Sequence, residues 1–256
     1  MPSSGKTRIA IPMPHSLDPE YAERAIPQYE RAIMQAGGEP VRIALDQTPA
    51  QVMTVIEGCD GVLLPGSKAD VDPAAFGAAR SLQTAAPDPG RDGVDNLLLR
   101  DAYSHRKPIL GICYGLQSLN VYRGGSLIQH IPDFLPEELR ARVNHEAGKK
   151  VAVAHAVEVE KNSRLAQVLG EENLIVPVNS SHHQSADAIG EGLRIGAHCR
   201  EDGIIEALEG TDPDHFVLAV QWHPERSVDL DEPSRDIFRA LIEAAAKRQF
   251  DLERKA

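Results

Sequence analysis

Cysteine and aromatic residues are scarce in this sequence: three Cys, five Phe, five Tyr and one Trp among 256 residues. So few cysteines, odd in number, build no disulfide framework. Cys59 and Cys199 lie in or beside apolar stretches and read as small buried hydrophobes. No apolar run approaches the ~20 residues that span a bilayer, so no membrane segment is expected. Met1-Pro2-Ser3-Ser4-Gly5-Lys6 lacks the apolar core of a signal peptide, and a cytoplasmic location is the expectation. Basic residues are also short, 27 Lys and Arg against 38 Asp and Glu, for a net charge of -11. That balance argues against a nucleic-acid partner, which needs a basic face. Repeats and linker-like stretches are missing, so residues 1–256 are expected to form a single domain.

What is present is an alternation of short apolar runs with helical spacing, the pattern of an α/β fold with a mostly parallel central sheet flanked by helices. Arg8–Pro12, Val41–Leu45, Asp60–Leu64 and Pro108–Ile112 read as strands. Helical spacing covers Tyr21 to Met34, where Pro27 should kink or split the helix, then Thr48 to Ile56 and Val94 to His105. Residues 68 to 92 are rich in Pro and Gly and read as ordered loops anchored by Phe76 and Leu82. In the second half, 150–159 alternates with period two, and His155 within it reads as a surface or edge residue. Asn162 to Leu169 is helical, 174–178 is a strand, and 193–198 with 204–208 forms an antiparallel pair, the smaller antiparallel portion of the fold. Phe216 to Gln221 is a buried strand. A closing helix from Pro233 through Ala245 carries an apolar face that would suit a homodimer.

Three strand ends carry chemistry. Gly111-Ile112-Cys113-Tyr114-Gly115 is the cysteine form of a nucleophile elbow, a sharp strand-to-helix turn whose glycines make room for one strained residue. Cys113 would sit at a helix N-terminus, which favours a thiolate, with the Tyr114 N–H free to face an oxyanion. Gly66 and Ser67, at the turn after another strand, are candidate second oxyanion donors. In His223-Pro224-Glu225 an extended segment would point both side chains the same way, so that Glu225 holds one ring nitrogen of His223 while the other faces Cys113. Arg91 could fork onto a substrate carboxylate, although taken singly it reads rather as a surface salt bridge flanked by aspartates. Asn179-Ser180-Ser181-His182-His183-Gln184 reads as a polar loop facing a pocket. Cys, Asp or Glu at ligand spacing are missing around its histidine pair, so no metal is expected there.

Together, in this order, these motifs resemble the class I glutamine amidotransferase-like superfamily and, within it, the γ-glutamyl-γ-aminobutyrate hydrolase or peptidase C26 family. The resemblance covers nearly the whole chain. It rests on Leu64-Pro65-Gly66-Ser67 with Asp70, Asp72 and Pro73, on Asp88-Pro89-Gly90-Arg91-Asp92, on the elbow through Gln117 with Asn120, Gly124 and Gly125, on Val178 to Gln184, on Gly203 to Ala207, and on Gln221-Trp222-His223-Pro224-Glu225. It implies a flavodoxin-like fold, a Cys113, His223 and Glu225 triad, and hydrolysis of a small γ-glutamyl amide through a thioester, without a cofactor. By the same resemblance Gln117 and the loop from Asn179 to Gln184 should hold the glutamyl group. Tyr114 departs from the Arg usual in the hydrolase branch and is familiar from glutaminase domains of synthetases. Two other readings stay open: a glutaminase subunit that passes ammonia to a separate synthetase, and a non-catalytic γ-glutamyl-binding protein.

Overall fold

The computed structural model describes residues 6–172 and 174–254. Strands are β1 (Arg8–Pro12), β2 (Glu39–Ile43), β3 (Gly61–Leu64), β4 (Ile109–Ile112), β5 (Leu127–Ile128), β6 (His155–Val159), β7 (Ile175–Val178), β8 (Ser185–Ala186), β9 (Leu193–Cys199), β10 (Ile205–Gly210) and β11 (Val217–Val220). Helices are α1 (Pro19–Gln35), α2 (Pro49–Glu57), α3 (Pro89–His105), α4 (Tyr114–Tyr122), α5 (Ile131–Phe134), α6 (Glu137–Arg140), α7 (Arg164–Leu169) and α8 (Glu232–Glu253). Among the described residues the main sheet has the order β2-β1-β3-β4-β11-β10-β9-β6-β7, and β5 pairs with β8 beside it. The run from β2 to β11 is parallel. From β11 onward the pairings are antiparallel.

The central strands are apolar on both faces because both faces are covered, as parallel sheets require. Period-two alternation sends Leu63, Leu110, Ile112, Leu218 and Val220 to one side, against α1 and α8. Val62, Leu64, Ile109, Val217 and Ala219 go to the other, in one cluster with residues of α2, α3 and α4. Adjacent strands β3, β4 and β11 therefore deliver Pro65-Gly66-Ser67, Cys113 and Gln221-Trp222-His223 to the same carboxyl edge, where open α/β sheets bind ligands.

Several sequence expectations need correction. α1 runs through Pro27 as one element. The lost hydrogen bond is outweighed by a buried stripe of Tyr21, Ala22, Ala25, Ile26, Tyr29, Ala32 and Ile33. Leu82 anchors nothing, being fully exposed; Ala69 and Val71 pack that loop against Tyr114 and Leu127, with Phe76 at the edge. β6 begins only at His155, where pairing to β7 starts, and His155 is buried rather than at the surface. The apolar face of α8 (Ile237, Phe238, Leu241, Ile242, Ala245) packs into the chain's own core rather than standing free. No helix among the described residues is long and apolar enough to cross a membrane.

Candidate active site

Cys113 stands between β4 and α4 at φ 53 and ψ -106, a left-handed conformation that costs a non-glycine residue about 1–3 kcal/mol. The surrounding backbone holds it there. Its N–H donates to Val220 O at 2.8 Å, and its carbonyl accepts from Leu116 N and Gln117 N. The neighbouring glycines have a steric reason: a Cβ on Gly111 would lie 2.8 Å from Gly115 O.

His223 and Glu225 come together by a different route from the one expected. The segment is not extended; Pro224–Arg226 forms a 3-10 turn, for which the fixed φ of proline at its first position is suited. The turn swings Glu225 back so that His223 Nδ1 and Glu225 Oε1 lie 2.8 Å apart, both residues buried. A Cβ on Gly66 would lie 2.9 Å from His223 Cε1 and 3.6 Å from Cys113 Cβ, so nucleophile and imidazole both stand against this glycine. Asn179 does not reach the pocket. Its amide clamps the His223 backbone, accepting from His223 N at 3.1 Å and donating to His223 O at 2.9 Å.

Cys113 and His223 line one cavity of about 680 Å³. Of the other residues singled out from sequence, Ser67, Tyr114, Gln117, His182, His183 and Gln184 share that wall. Gly66 does not act as a free donor: its N–H goes to the Tyr29 hydroxyl at 3.1 Å. Ser180 is buried and donates to His145 O. Arg91 is fully buried away from the cavity, paired with Asp95 at 2.7 Å, bonded to Pro14 O and Pro65 O, and 4.8 Å from the centre of the Tyr114 ring. It supports the strand-end turn rather than a substrate carboxylate. The Tyr114 hydroxyl donates to Asp92, which ties α4 to the start of α3. Sequence reasoning missed Tyr21, Arg24, Lys68, Lys149 and Arg226 in the wall. Arg226 had a usable signal, since it directly follows the His-Pro-Glu motif.

Burial pushes the Cys113 thiol up to about 12, against the pull of the Arg226 charge and the Tyr114 N–H. The helix N-terminus does not outweigh that loss of water, so the resting form is the thiol. Burial also lowers the His223 pKa, although the Glu225 charge opposes it. Burial favours a neutral Glu225, but the His223 charge and hydrogen bond hold its pKa below the ordinary value. The dyad thus rests as neutral thiol and neutral imidazole, with a carboxylate on the far ring nitrogen.

Replacing Asn179 by Ala removes both clamps on His223 and leaves its buried N–H unpaired, while its C=O keeps only the Arg226 N–H at 3.2 Å. Stability is expected to fall by about 2 kcal/mol. Turnover is expected to fall by up to about 10²-fold through misplacement of the imidazole, with KM little changed. Steady-state kinetics with a urea melt measure both; unchanged kcat would show that the clamp does not position the ring.

The peptidase C26 family matches residues 11–225. The chain is 41% identical over 219 residues to a provisionally assigned glutamine amidotransferase of Mycobacterium tuberculosis, covering 85% of this chain and 66% of that one, just under two thirds of its length. It is 36% identical over 221 residues to the gamma-glutamyl-gamma-aminobutyrate hydrolase of Escherichia coli, covering 85% and 84%. The crystal structure of a provisionally assigned GMP synthase component from Thermoplasma acidophilum superposes with a TM-score of 0.65 at 17% identity, covering 98% of this chain and 99% of that one. That last likeness concerns the fold alone.

Proposed function

The chain belongs to the peptidase C26 family of glutamine-amidotransferase-like hydrolases, and on that premise we propose that it cleaves a γ-glutamyl amide whose leaving amine carries a carboxylate. The observation that carries this reading is one cavity lined by a strained cysteine and by a histidine whose other nitrogen is held by a buried carboxylate.

Substrate binding brings the γ-carbonyl against Cys113. His223 Nε2 takes the thiol proton as sulfur attacks, the role of a base that rests neutral. The oxyanion forms beside the Tyr114 and Ser67 amides; one such donor is typically worth about 3 kcal/mol. The C–N bond breaks as His223 returns the proton to the amine, leaving a γ-glutamyl thioester. Water then attacks the thioester, gives a proton to His223 and releases glutamate as the thiol is restored. Glu225 fixes the ring tautomer throughout.

The choice of leaving group is supported by charge. Although the chain as a whole is acidic, the cavity wall carries Arg24, Lys68, Lys149 and Arg226 against Asp70. Asp70 is paired with His183 at 3.1 Å, and Lys68 with Asp18 at 2.7 Å. Among the described residues Arg24 and Lys149 have no carboxylate partner. Such a wall suits a ligand with carboxylates at both ends, as in γ-glutamyl-γ-aminobutyrate, better than an amide with a cationic or neutral amine.

The test is a panel of γ-glutamyl-γ-aminobutyrate, glutamine and γ-glutamyl amines with neutral or cationic tails, given to the purified chain alone. The expected result is glutamate release with kcat/KM at least about tenfold higher for the carboxylate-bearing amine, equivalent to about 1.4 kcal/mol. Equal rates across the panel would remove the charge argument. Silence on every member would overturn the hydrolase reading in favour of a glutaminase that needs a synthetase.

A further inference from the structure

Beside the cavity, four buried side chains from four separate segments converge. They are His145 from the loop after α6, His155 at the start of β6, His182 from the loop after β7, and Glu206 on β10. His145 Nδ1, His155 Nε2 and His182 Nε2 lie 3.3, 3.3 and 3.4 Å from the same oxygen, Glu206 Oε1. Glu206 is fully buried, and the three imidazole side chains are 5%, 1% and 1% exposed. None of those four facing atoms has a hydrogen-bond partner of sound geometry. Crowding three nitrogens on one buried oxygen without hydrogen bonds is costly unless something sits between them.

The outer partners show which way two of the rings present their lone pairs. His145 Nε2 lies 2.9 Å from Asp202 Oδ2, and His182 Nδ1 lies 2.9 Å from Gln184 O. Gln184 O can only accept, so the proton of a neutral His182 sits on Nδ1 and its Nε2 lone pair is directed into the cluster. A neutral His145 donating to Asp202 likewise turns the Nδ1 lone pair inward. Carboxylate and carbonyl partners of this kind are what ligating histidines carry.

We propose that His145, His155, His182 and Glu206 form a divalent-metal site that takes zinc. Three imidazoles and one carboxylate are a tetrahedral N3O donor set suited to that ion. Bonds of about 2.0–2.1 Å from a central zinc give a tetrahedron with edges of about 3.3–3.4 Å; the three edges to Glu206 Oε1 have that length, and all four ligand atoms lie within 4.8 Å of one another. A cavity of about 170 Å³ that touches His145 and His182 provides an approach from outside. The ion fastens the 145 and 182 loops, already joined by His182 N to His145 O at 2.9 Å, onto β6 and β10. Since His182 and His183 also line the catalytic cavity, the metal sets the position of that wall without entering the reaction. No linear spacing reveals this set, because the ligands are scattered over some sixty residues and come from both loops and strands.

The test uses the untagged full chain. Elemental analysis after chelator-free purification and zinc loading is expected to find about one zinc per chain. Co(II) added to the chelator-stripped protein is expected to give the visible bands of a tetrahedral site, saturating at one equivalent, without a thiolate charge-transfer band. Cys113→Ala should keep this stoichiometry; Glu206→Gln and His155→Ala should lose it. Absence of uptake by the wild-type chain overturns the proposal and leaves a proton-held histidine cluster. A thiolate band, or uptake lost with Cys113→Ala, places the metal elsewhere and also overturns it. Should the Glu206 or His155 variant not fold, the wild-type Co(II) spectrum and the Cys113→Ala protein decide the question.

Discussion

Cys113→Ala is expected to lower kcat/KM for the γ-glutamyl substrate by about 10⁴-fold or more, the usual loss when a covalent nucleophile is removed. The protein should fold and melt nearly as the parent does. The substitution deletes one sulfur, the backbone strain at φ 53 is common to both residues, and the restraining hydrogen bonds come from main chain. Binding of the uncleaved substrate, followed by calorimetry, should persist. Turnover comparable to wild type would refute the thioester route.

The same residue gives a pH test. Because burial lowers the His223 pKa from its usual 6.5, the imidazole stays neutral, and competent as a base, to a pH below that value. kcat/KM should therefore fall only as pH drops through the lowered value, then stay level through neutrality. Burial holds the thiol up to about 12, so no thiolate-forming inflection should appear in the mildly alkaline range. Alkylation of the free protein by iodoacetamide should keep accelerating as pH rises. An alkylation rate already level at neutral pH would reveal a standing thiolate–imidazolium pair and refute the neutral resting dyad.

Gly115→Ala is expected to cost about 3 kcal/mol or more, the upper range for overpacking, and much of the soluble yield. A Cβ there would meet Leu64 O at 2.1 Å and Leu64 Cβ at 2.7 Å. Those atoms belong to the last residue of β3, which is paired to β4 at that position, so the obstacle is a sheet backbone with little room to retreat. Any shift that did occur would move Pro65, Gly66 and Ser67, and activity should fall with stability. Gly93→Ala is the control: it lies within α3, and its Cβ would meet nothing within 4 Å. Helix propensity should then stabilise the protein by about 0.5–1 kcal/mol. Urea unfolding of the two variants side by side checks both signs; parental stability in Gly115→Ala would show that the elbow does not depend on this close approach.

How much of this was legible before folding depends on the range of each signal. Cys113 between its glycines, and His223 with Glu225 at the end of another buried run, could be read directly. Strand period, turn chemistry and the strain of an elbow are written within a few neighbouring residues. The α/β alternation and the strand ends that carry the site followed from the same local rules, which the parallel core bears out. Even there, Pro224 was misread, because a proline permits either an extended segment or the first position of a turn, and only packing selects the turn.

Tertiary structure alone decided what lies far apart in sequence. Asn179 clamps a backbone 44 positions away; Gly66 gives its N–H to a hydroxyl 37 positions earlier; Arg91 is buried against Pro65 and Pro14. Polar residue types announce that they need partners, but their identity depends on which loops the strand order brings together. Ionisation is the same kind of property. A helix N-terminus could be read from the sequence and favours a thiolate, whereas the depth of burial that keeps Cys113 protonated arises only once sheet, helices and loops have closed around it.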